Sequence, residues 1–331
     1  MPRERQLVEK ITRALLPARA ASSRLKMGIG DDAALVSAGG HAEWVLSCDT
    51  FLENVHFRLK THPPDSVGYK ALARATSDLA AMGATPRFFL LTLALPTART
   101  GSWLDAFLKG MAHASRELGI AVIGGDTTQS RTLFISITVL GEIAPGRALT
   151  RSGARPGDII YVSGKLGRAQ LGLELVLRGH ARNRQLRALV QSHLCPKIRI
   201  ELGSWLARRR IATSAMDLSD GLSTDLARLC AASQVGAKIY ASKIPSVTIP
   251  PAAARHLGKP KLDLLQLALH GGEDYELLFT VLPRQQKKLR RAPGASTLTA
   301  IGEITRNRQV LLVAPDGNAS PLHSQGWDPF R

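Results

Sequence analysis

Cysteine is scarce in this chain. Cys48, Cys195 and Cys230 are the three present, odd in number and far apart. That excludes a disulfide framework and the usual zinc spacings, and it fits a reducing cytoplasm. Aromatic residues make up only 5%, too few to interleave with bases as stacking platforms for single-stranded nucleic acid. No apolar run approaches the roughly 18 residues of a membrane span. The opening stretch MPRERQLVEKITRALL has no apolar core segment, so it reads as an amphipathic helix rather than a secretory signal. The phosphate-binding pattern GxxxxGK[ST] is missing, as are the HRD and DFG signatures of protein kinases. Acids are also in short supply: 26 against 44 lysines and arginines, a net charge of +18.

With 331 residues, 44% hydrophobic and 21% charged, the composition is that of a soluble globular protein large enough for two ordinary domains. The bases concentrate at 178–210, with nine lysines and arginines against Glu201 alone, and at 284–291. Both stretches read as solvated helix faces, and a nucleic-acid partner is not expected. Helical periodicity marks 5–16, 66–82, 102–118, 168–178, 197–209, 220–235 and 262–270. Strand-like runs mark 43–48, 87–95, 120–123, 132–142, 158–163, 275–281 and 309–314. Helices and strands intermix, which predicts an α/β or α+β fold. The Gly-, Pro- and Arg-rich segment 144–158 separates two comparable halves. It sets the expected boundary between a domain at 1–145 and another at 150–331. The C-terminal SPLHSQGWDPFR reads as an irregular tail packing back on the body.

The placement of the few acids is informative. They recur where apolar runs meet glycine or serine: GIGDD (Asp31, Asp32), LSCDT (Asp49), TSDLAAMGA (Asp78), IGGDTT (Asp126), MDLSDGLSTDL (Asp217, Asp220, Asp225) and HGGEDYEL (Glu273, Asp274, Glu276). Carboxylates in such surroundings are costly to desolvate, and neighbours raise one another's pKa. The clustered arginines lie on polar faces, so metal ions are the expected counter-charge. Oxygen donors without histidine or cysteine clusters indicate Mg²⁺ or Mn²⁺. Such ions borrow phosphate oxygens, which points to a nucleoside triphosphate and phosphoryl transfer. The accompanying glycines would let backbone approach phosphates. Each motif alone also has a plain structural reading: GGD as a turn after a strand, Asp217 and Asp220 as helix caps.

GIGDDAAL, SCDTFLENVHF, SDLAAMGATPRFFLLTLALP, IGGDTT, GRALTRSGARPGD, DLSDGLSTDL and GGEDYELLFT occur in that order. Together they resemble the thiamine-monophosphate kinase family over essentially the whole chain, from about residue 25 to 330. That family lies in a superfamily with aminoimidazole ribonucleotide synthetase, selenophosphate synthetase and a hydrogenase maturation dehydratase. The resemblance implies two domains, each a mixed sheet flanked by helices, with N-terminal sheets pairing across a homodimer. It implies ATP-dependent phosphorylation of thiamine monophosphate to thiamine diphosphate, by direct in-line transfer with several Mg²⁺ ions. Residue by residue, it implies metal ligation by Asp32, Ser47, Cys48, Asp49, Asp78 and Asp126, and by Asp217 and Asp220 from the second domain. Gly125, Asp126, Arg151 and Ser219 would contact ATP. His56, Glu273 and Trp327 would line the acceptor site. Asp31 is left as a turn residue or an outer support. Position 48 departs from the family's usual threonine, which matters only if the side chain rather than the carbonyl is used.

Both reactants would be anionic, so charge neutralisation is the main task and no general base is expected. Two rivals stand beside this reading. One is another ATP-dependent synthetase of the same superfamily. The other is a basic nucleic-acid-binding protein, whose binding would fall steeply with salt.

Overall fold

The structure, a computed structural model, describes residues 4–15, 24–257 and 262–330. The first half contains α1 (Glu4–Leu15), β1 (Leu25–Met27), β2 (Ala34–Ser37), β3 (Glu43–Leu52), α2 (Pro64–Ala81), β4 (Thr85–Leu95), α3 (Ser102–Leu118), β5 (Ala121–Gln129) and β6 (Phe134–Ile143). Its strands form one mixed sheet in the order β1-β2-β3-β6-β4-β5, with β4 and β5 parallel. The second half contains β7 (Ile159–Val162), α4 (Arg168–Leu177), α5 (Arg187–Leu194), α6 (Ile200–Arg209), β8 (Ala212–Asp217), α7 (Leu222–Ser233) and β9 (Gly236–Tyr240). It continues with α8 (Pro251–Leu257), α9 (Leu264–His270), β10 (Leu277–Val281), β11 (Thr299–Thr305), β12 (Val310–Val313) and β13 (Ala319–Pro321). These strands form a second mixed sheet, β13-β12-β9-β11-β7-β10-β8, with β12 and β9 parallel. The fold is α/β, with two mixed sheets flanked by helices.

Local chemistry explains many boundaries. Pro64 occupies the first position of α2, where a missing N–H costs nothing. Gly119 ends α3 in the left-handed conformation, its N–H donating to the Ser115 carbonyl. Asp263 caps α9 by accepting from the N–H groups of Leu265 (2.9 Å) and Gln266 (3.2 Å). Burial alternates strictly along β6, as in a strand with one face on the core. In contrast β10 is buried at every position. Leu277, Phe279 and Val281 enter the core shared with the first sheet, and Leu278 enters the opposite core under α7 and α9.

The helices expected at 5–16, 66–82, 102–118 and onward lie close to where helices occur, although residue 16 lies outside the described residues; α5 and α8 were not expected. The expected strand at 120–123 runs on to Gln129 through Gly124, Gly125 and Asp126, so GGD lies inside a strand and is not a turn. Strand β8, like β1, β2, β9, β11 and β13, was not anticipated. Its ATSAMD is small and polar, and only pairing with β10 makes it extended.

Helix α2 lies between the two sheets and touches β3, β6, α3, α6 and β8. Its contact with α3 is backbone-close. A Cβ on Gly110 would sit 1.7 Å from the Asp65 carbonyl oxygen, and one on Gly68 would sit 2.0 Å from that of Phe107. Gly110→Ala should therefore force the helices apart and lower stability by about 1–3 kcal/mol. A thermal melt by circular dichroism should show a clearly lowered midpoint; an unchanged midpoint would contradict this contact.

Candidate active site

The site is built on α2, which is buried along nearly its whole length. On it Lys70, Arg74, Ser77 and Asp78 recur at i, i+4, i+7 and i+8, one continuous stripe of a helix. The stripe meets the carboxylates that the rest of the chain delivers. Asp32 comes from the turn before β2, Asp49 from β3 and Asp217 from the last position of β8. The Asp32, Asp78 and Asp217 carboxylates bring oxygens within 4.8 Å of one another.

Of the cations beside them, only Arg151 was anticipated, as a contact to nucleotide phosphate. Arg151 donates from Nη2 (2.6 Å) and Nε (3.1 Å) to Asp32 Oδ1. Arg74 donates from Nε to Asp49 Oδ2 at 3.1 Å and lies over the Phe51 ring. Arg228 binds Asp220 and Asp225, and reaches Glu4 of α1 at 3.5 Å. Lys70 binds Glu273 at 2.8 Å. The expectation of metal ions as the counter-charge is thus narrowed, because isolated cations compensate Asp49, Asp32, Asp220 and Glu273. The clustered arginines of 178–210 and 284–291 are not among these, although Arg199 of the first cluster leaves the polar face to bind Glu276.

Asp78 and Asp217 receive only hydroxyls. Ser47 donates to Asp78 Oδ2, and Ser77 donates to Asp217 Oδ2 at 2.6 Å. Asp32 Oδ2 is buried with no hydrogen-bond partner. Burial raises all three acids, and neighbouring carboxylates add to it for Asp78 and Asp217. Asp217 is pushed up to about 7, first by burial and then by Asp32. Asp78 stands well above the ordinary range through burial and the charges of Asp49, Asp217 and Asp32. For Asp32, burial outweighs Arg151. An orphaned buried carboxylate oxygen among three converging acids is a donor set suited to a hard divalent cation.

Several GGEDYEL and DLSDGLSTDL acids serve the fold. Asp274 accepts from the N–H groups of Gly167 (2.6 Å) and Ala169 (2.9 Å) and caps α4. Glu276 is held by Ser163 and by Arg199 Nε at 2.6 Å. Asp225 accepts from the N–H groups of Asp220 and Gly221, both at 3.0 Å. Asp31 accepts from the Asp32 and Arg151 N–H groups, each at 3.0 Å, so it anchors the Arg151 backbone beside the cluster.

The chain matches the family models for AIR synthase related protein, N-terminal domain, over residues 30–143, and C-terminal domain, over 155–313. Thiamine-monophosphate kinase of Escherichia coli (strain K12) is 39% identical over 94% of this chain and 95% of its own length. That of Bacillus subtilis (strain 168) is 34% identical over 93% and 95%. The chain belongs to the thiamine-monophosphate kinase family. A solved structure of AaThiL complexed with AMPPCP and TMP superposes with a TM-score of 0.84, at 32% identity, covering 98% of this chain and 96% of that one. Thiamine-monophosphate kinase from Stenotrophomonas maltophilia K279a gives a TM-score of 0.74 at 36% identity, covering 94% and 96%.

The family's expected site residues fall into groups in this chain. Ser47 and Asp49 face α2 and Asp78. Cys48 faces the opposite way, its Sγ 3.5 Å from Ser136 Oγ and accepting from Thr138 Oγ1 at 3.3 Å. Register puts Asp126 beside Thr92, which pairs with Ser136 and so with Thr50. Asp126 is therefore on the Cys48 face. The single N-terminal cluster expected from the resemblance is thus narrowed, because successive strand residues point to opposite faces. Gly125 has a reason of its own: at φ 150° its Cβ would lie 1.8 Å from the Leu91 carbonyl oxygen of β4. Asp220 sits apart on Arg228. Ser219, half-buried between Asp217 and Asp220, accepts at its carbonyl from the Glu273 N–H at 2.7 Å. His56 and Trp327, distant in sequence, come together with ring centroids 6.5 Å apart. Trp327 is placed by its N–H donating to the Asp220 carbonyl at 3.0 Å, so the tail does pack back. Sequence reasoning missed Lys70, Arg74, Ser77, His193 and Arg228. The polar i, i+4, i+7, i+8 stripe in α2 was the available signal for the first three.

Asp217 carries a pH signature. Its folded pKa of about 7 lies above the unfolded value of about 3.9. The stability it contributes as the neutral acid is complete below about pH 4 and is lost as pH rises through about 7. Without divalent cation, Asp217→Asn should be more stable than the native chain at pH 8 by about 1–3 kcal/mol and nearly equal to it at pH 4. Denaturant midpoints measure this. A variant equally or less stable at pH 8 would count against repulsion in the cluster.

Proposed function

We propose that the protein phosphorylates thiamine monophosphate with ATP, giving thiamine diphosphate and ADP by direct in-line transfer. The observation that carries this reading is the Asp32–Asp78–Asp217 cluster with its orphaned oxygen, in a chain covered over 98% by a relative complexed with AMPPCP and TMP. Mg²⁺ fits this oxygen-only donor set; held by Asp32, Asp78 and Asp217, with Ser47 and Asp49 beside them, it would neutralise phosphate charge. Asp126 and Asp220, the latter now on Arg228, are the proposed sites for further ions, and Cys48 would contribute through its carbonyl. Arg151 would exchange Asp32 for nucleotide phosphate oxygens, with Ser219 beside it, and Gly125 and Asp126 would reach the nucleotide from β5.

The acceptor would lie between His56, Trp327 and Glu273. His56 accepts the Leu52 N–H at Nδ1, at 3.0 Å, so Nε2–H is left as a donor. Burial, and then Arg74, lower its pKa to about 4. A neutral donor positions a substrate and does not act as its base, which suits an acceptor whose phosphate oxygen is already ionised. Exposed Trp327 offers an indole face for a cationic or electron-poor ring. Residues 1–145 and 150–331 are proposed as the two domains, each contributing acids to the one cluster.

A homodimer is part of the proposal. Strand β5 is an edge strand exposed along its whole length, with Val122 at 59% and Ile123 at 56% exposure. Phe88 and Leu90 of β4 are exposed beside it. Long apolar edges of this kind are normally covered. Among the described residues no helix is long and apolar enough to cross a membrane, and three free cysteines support a cytoplasmic setting.

Two tests follow. ADP release with Mg²⁺ and thiamine monophosphate as sole acceptor should be robust; release only with another acceptor would favour a different synthetase. In that assay Asp78→Asn and Asp126→Asn should each lower kcat at least about 100-fold, whereas His56→Ala should mainly raise KM for thiamine monophosphate. Separately, Val122→Lys combined with Ile123→Glu should convert a dimer to a monomer in sedimentation equilibrium. A native chain that sediments as a monomer at micromolar concentration would remove the dimer from the proposal.

A further inference from the structure

Behind Glu273 lies a polar chain that the phosphoryl-transfer reading does not use. Lys70 (1% exposed), His193 (0%) and His62 (4%) are fully buried, and they come from three elements: α2, α5 and the loop that follows His56. Lys70 Nζ lies 2.8 Å and His193 Nδ1 3.1 Å from Glu273, and both contacts fall on Oε2. His193 Nε2 is 3.1 Å from His62 Nε2, so one ring donates and the other accepts. His62 Nδ1 lies 3.2 Å from the Arg58 N–H. The Arg58 carbonyl already accepts from the Thr61 and His62 N–H groups, at 3.1 and 2.9 Å. His62 Nδ1 also lies 3.0 Å from Thr61 Oγ1, and His193 Nδ1 lies 3.2 Å from Lys70 Nζ; we assign His62 Nδ1 as the acceptor and His193 Nδ1 as the donor to the ionised Glu273. Arg58 N–H donates to His62, His62 Nε2–H donates to His193, and His193 Nδ1–H donates to Glu273.

The electrostatics agree with neutral rings and an ionised acid. Burial, then the neighbouring imidazole of His193, lowers His62 to about 4, and burial lowers His193 as well. Burial alone would raise Glu273, but Lys70 and His193 outweigh it and hold the carboxyl well below its ordinary range. Glu273 adopts φ 66°, a conformation a glutamate rarely takes, and its N–H is tied to the Ser219 carbonyl at 2.7 Å. Backbone and Oε2 are both fixed, while Oε1 receives no hydrogen bond among the described residues. Burying a lysine and two histidines is costly unless they are paired; here Lys70 and His193 meet on one carboxylate oxygen, and His62 pairs with His193 behind it.

We propose that Lys70, His193 and His62 form a positioning relay that locks the Glu273 carboxylate, with Oε1 turned to the acceptor, and couples it to the loop carrying His56. The relay acts on binding of the acceptor's cationic or amino-bearing end and not on phosphate. This rests on the reading that Glu273 and His56 line the thiamine monophosphate site.

Steady-state kinetics with Mg²⁺, ATP and thiamine monophosphate test it on the full-length protein, with melting temperatures recorded for each variant. His62→Leu and His193→Leu should raise KM for thiamine monophosphate about tenfold, the worth of one charge-assisted hydrogen bond. KM for ATP should stay within about twofold. His62→Gln, which keeps a donor near the Nε2 position, and His193→Asn, which keeps one near Nδ1, should restore most of the loss. Purely structural histidines would instead lower kcat or melting temperature without selectivity between substrates and without rescue by Gln or Asn, and that pattern overturns the relay. Should His193→Leu fail to fold, the His62 pair carries the same comparison. A native enzyme that leaves thiamine monophosphate unphosphorylated overturns the functional reading and the relay with it. A competent native enzyme with unselective variants overturns the relay alone.

Discussion

A buried helix that carries charge constrains the rest of this molecule. Helix α2 lies between the two sheets and brings Lys70, Arg74, Ser77 and Asp78 into a region without bulk water. Each polar group there must find a partner or remain costly. The partners come from both halves: Asp49 and Ser47 from β3, Asp217 from β8, Glu273 from the loop before β10. Docking of the two sheets on α2 and assembly of the site are therefore one event. The glycine contacts with α3 hold the helix at the depth where those pairs form.

Within the site the carboxylates divide by the partner each receives. Asp274, Glu276, Asp225 and Asp31 are satisfied by backbone N–H groups, hydroxyls or arginine, and they shape loops and helix ends. Asp49, Asp220 and Glu273 carry a cation each. Asp32, Asp78 and Asp217 are left under-compensated: Asp32 keeps an oxygen without a partner, and the other two receive only hydroxyls. The division follows from desolvation: an acid with a full set of donors is a structural element, and an acid without one is where an external cation gains most.

Much of the candidate site was legible as segments. Each of the three clustered aspartates sits in a motif of acid among glycine, serine and small apolar residues, and that context marked them all. The motifs carry no information on which face a side chain takes. Cys48 is adjacent to Ser47 and Asp49 and still points away, because strand residues alternate. Asp126 looked like a turn residue beside two glycines, yet Gly125 is there to let β5 approach β4. The stripe in α2 was present in the sequence, but nothing in it tells Lys70 and Arg74 from surface cations. Only burial distinguishes the two cases.

By itself the sequence determined composition class, the order of most elements, the family and the set of acid-bearing motifs, since these depend on local propensity and on residues near one another in the chain. The tertiary structure alone decided which acids converge, which arginines neutralise them, and that His62 and His193, 131 residues apart, share a hydrogen bond. Those outcomes depend on desolvation and on distances across the α2 interface. Neither quantity exists until the two sheets have closed on that helix.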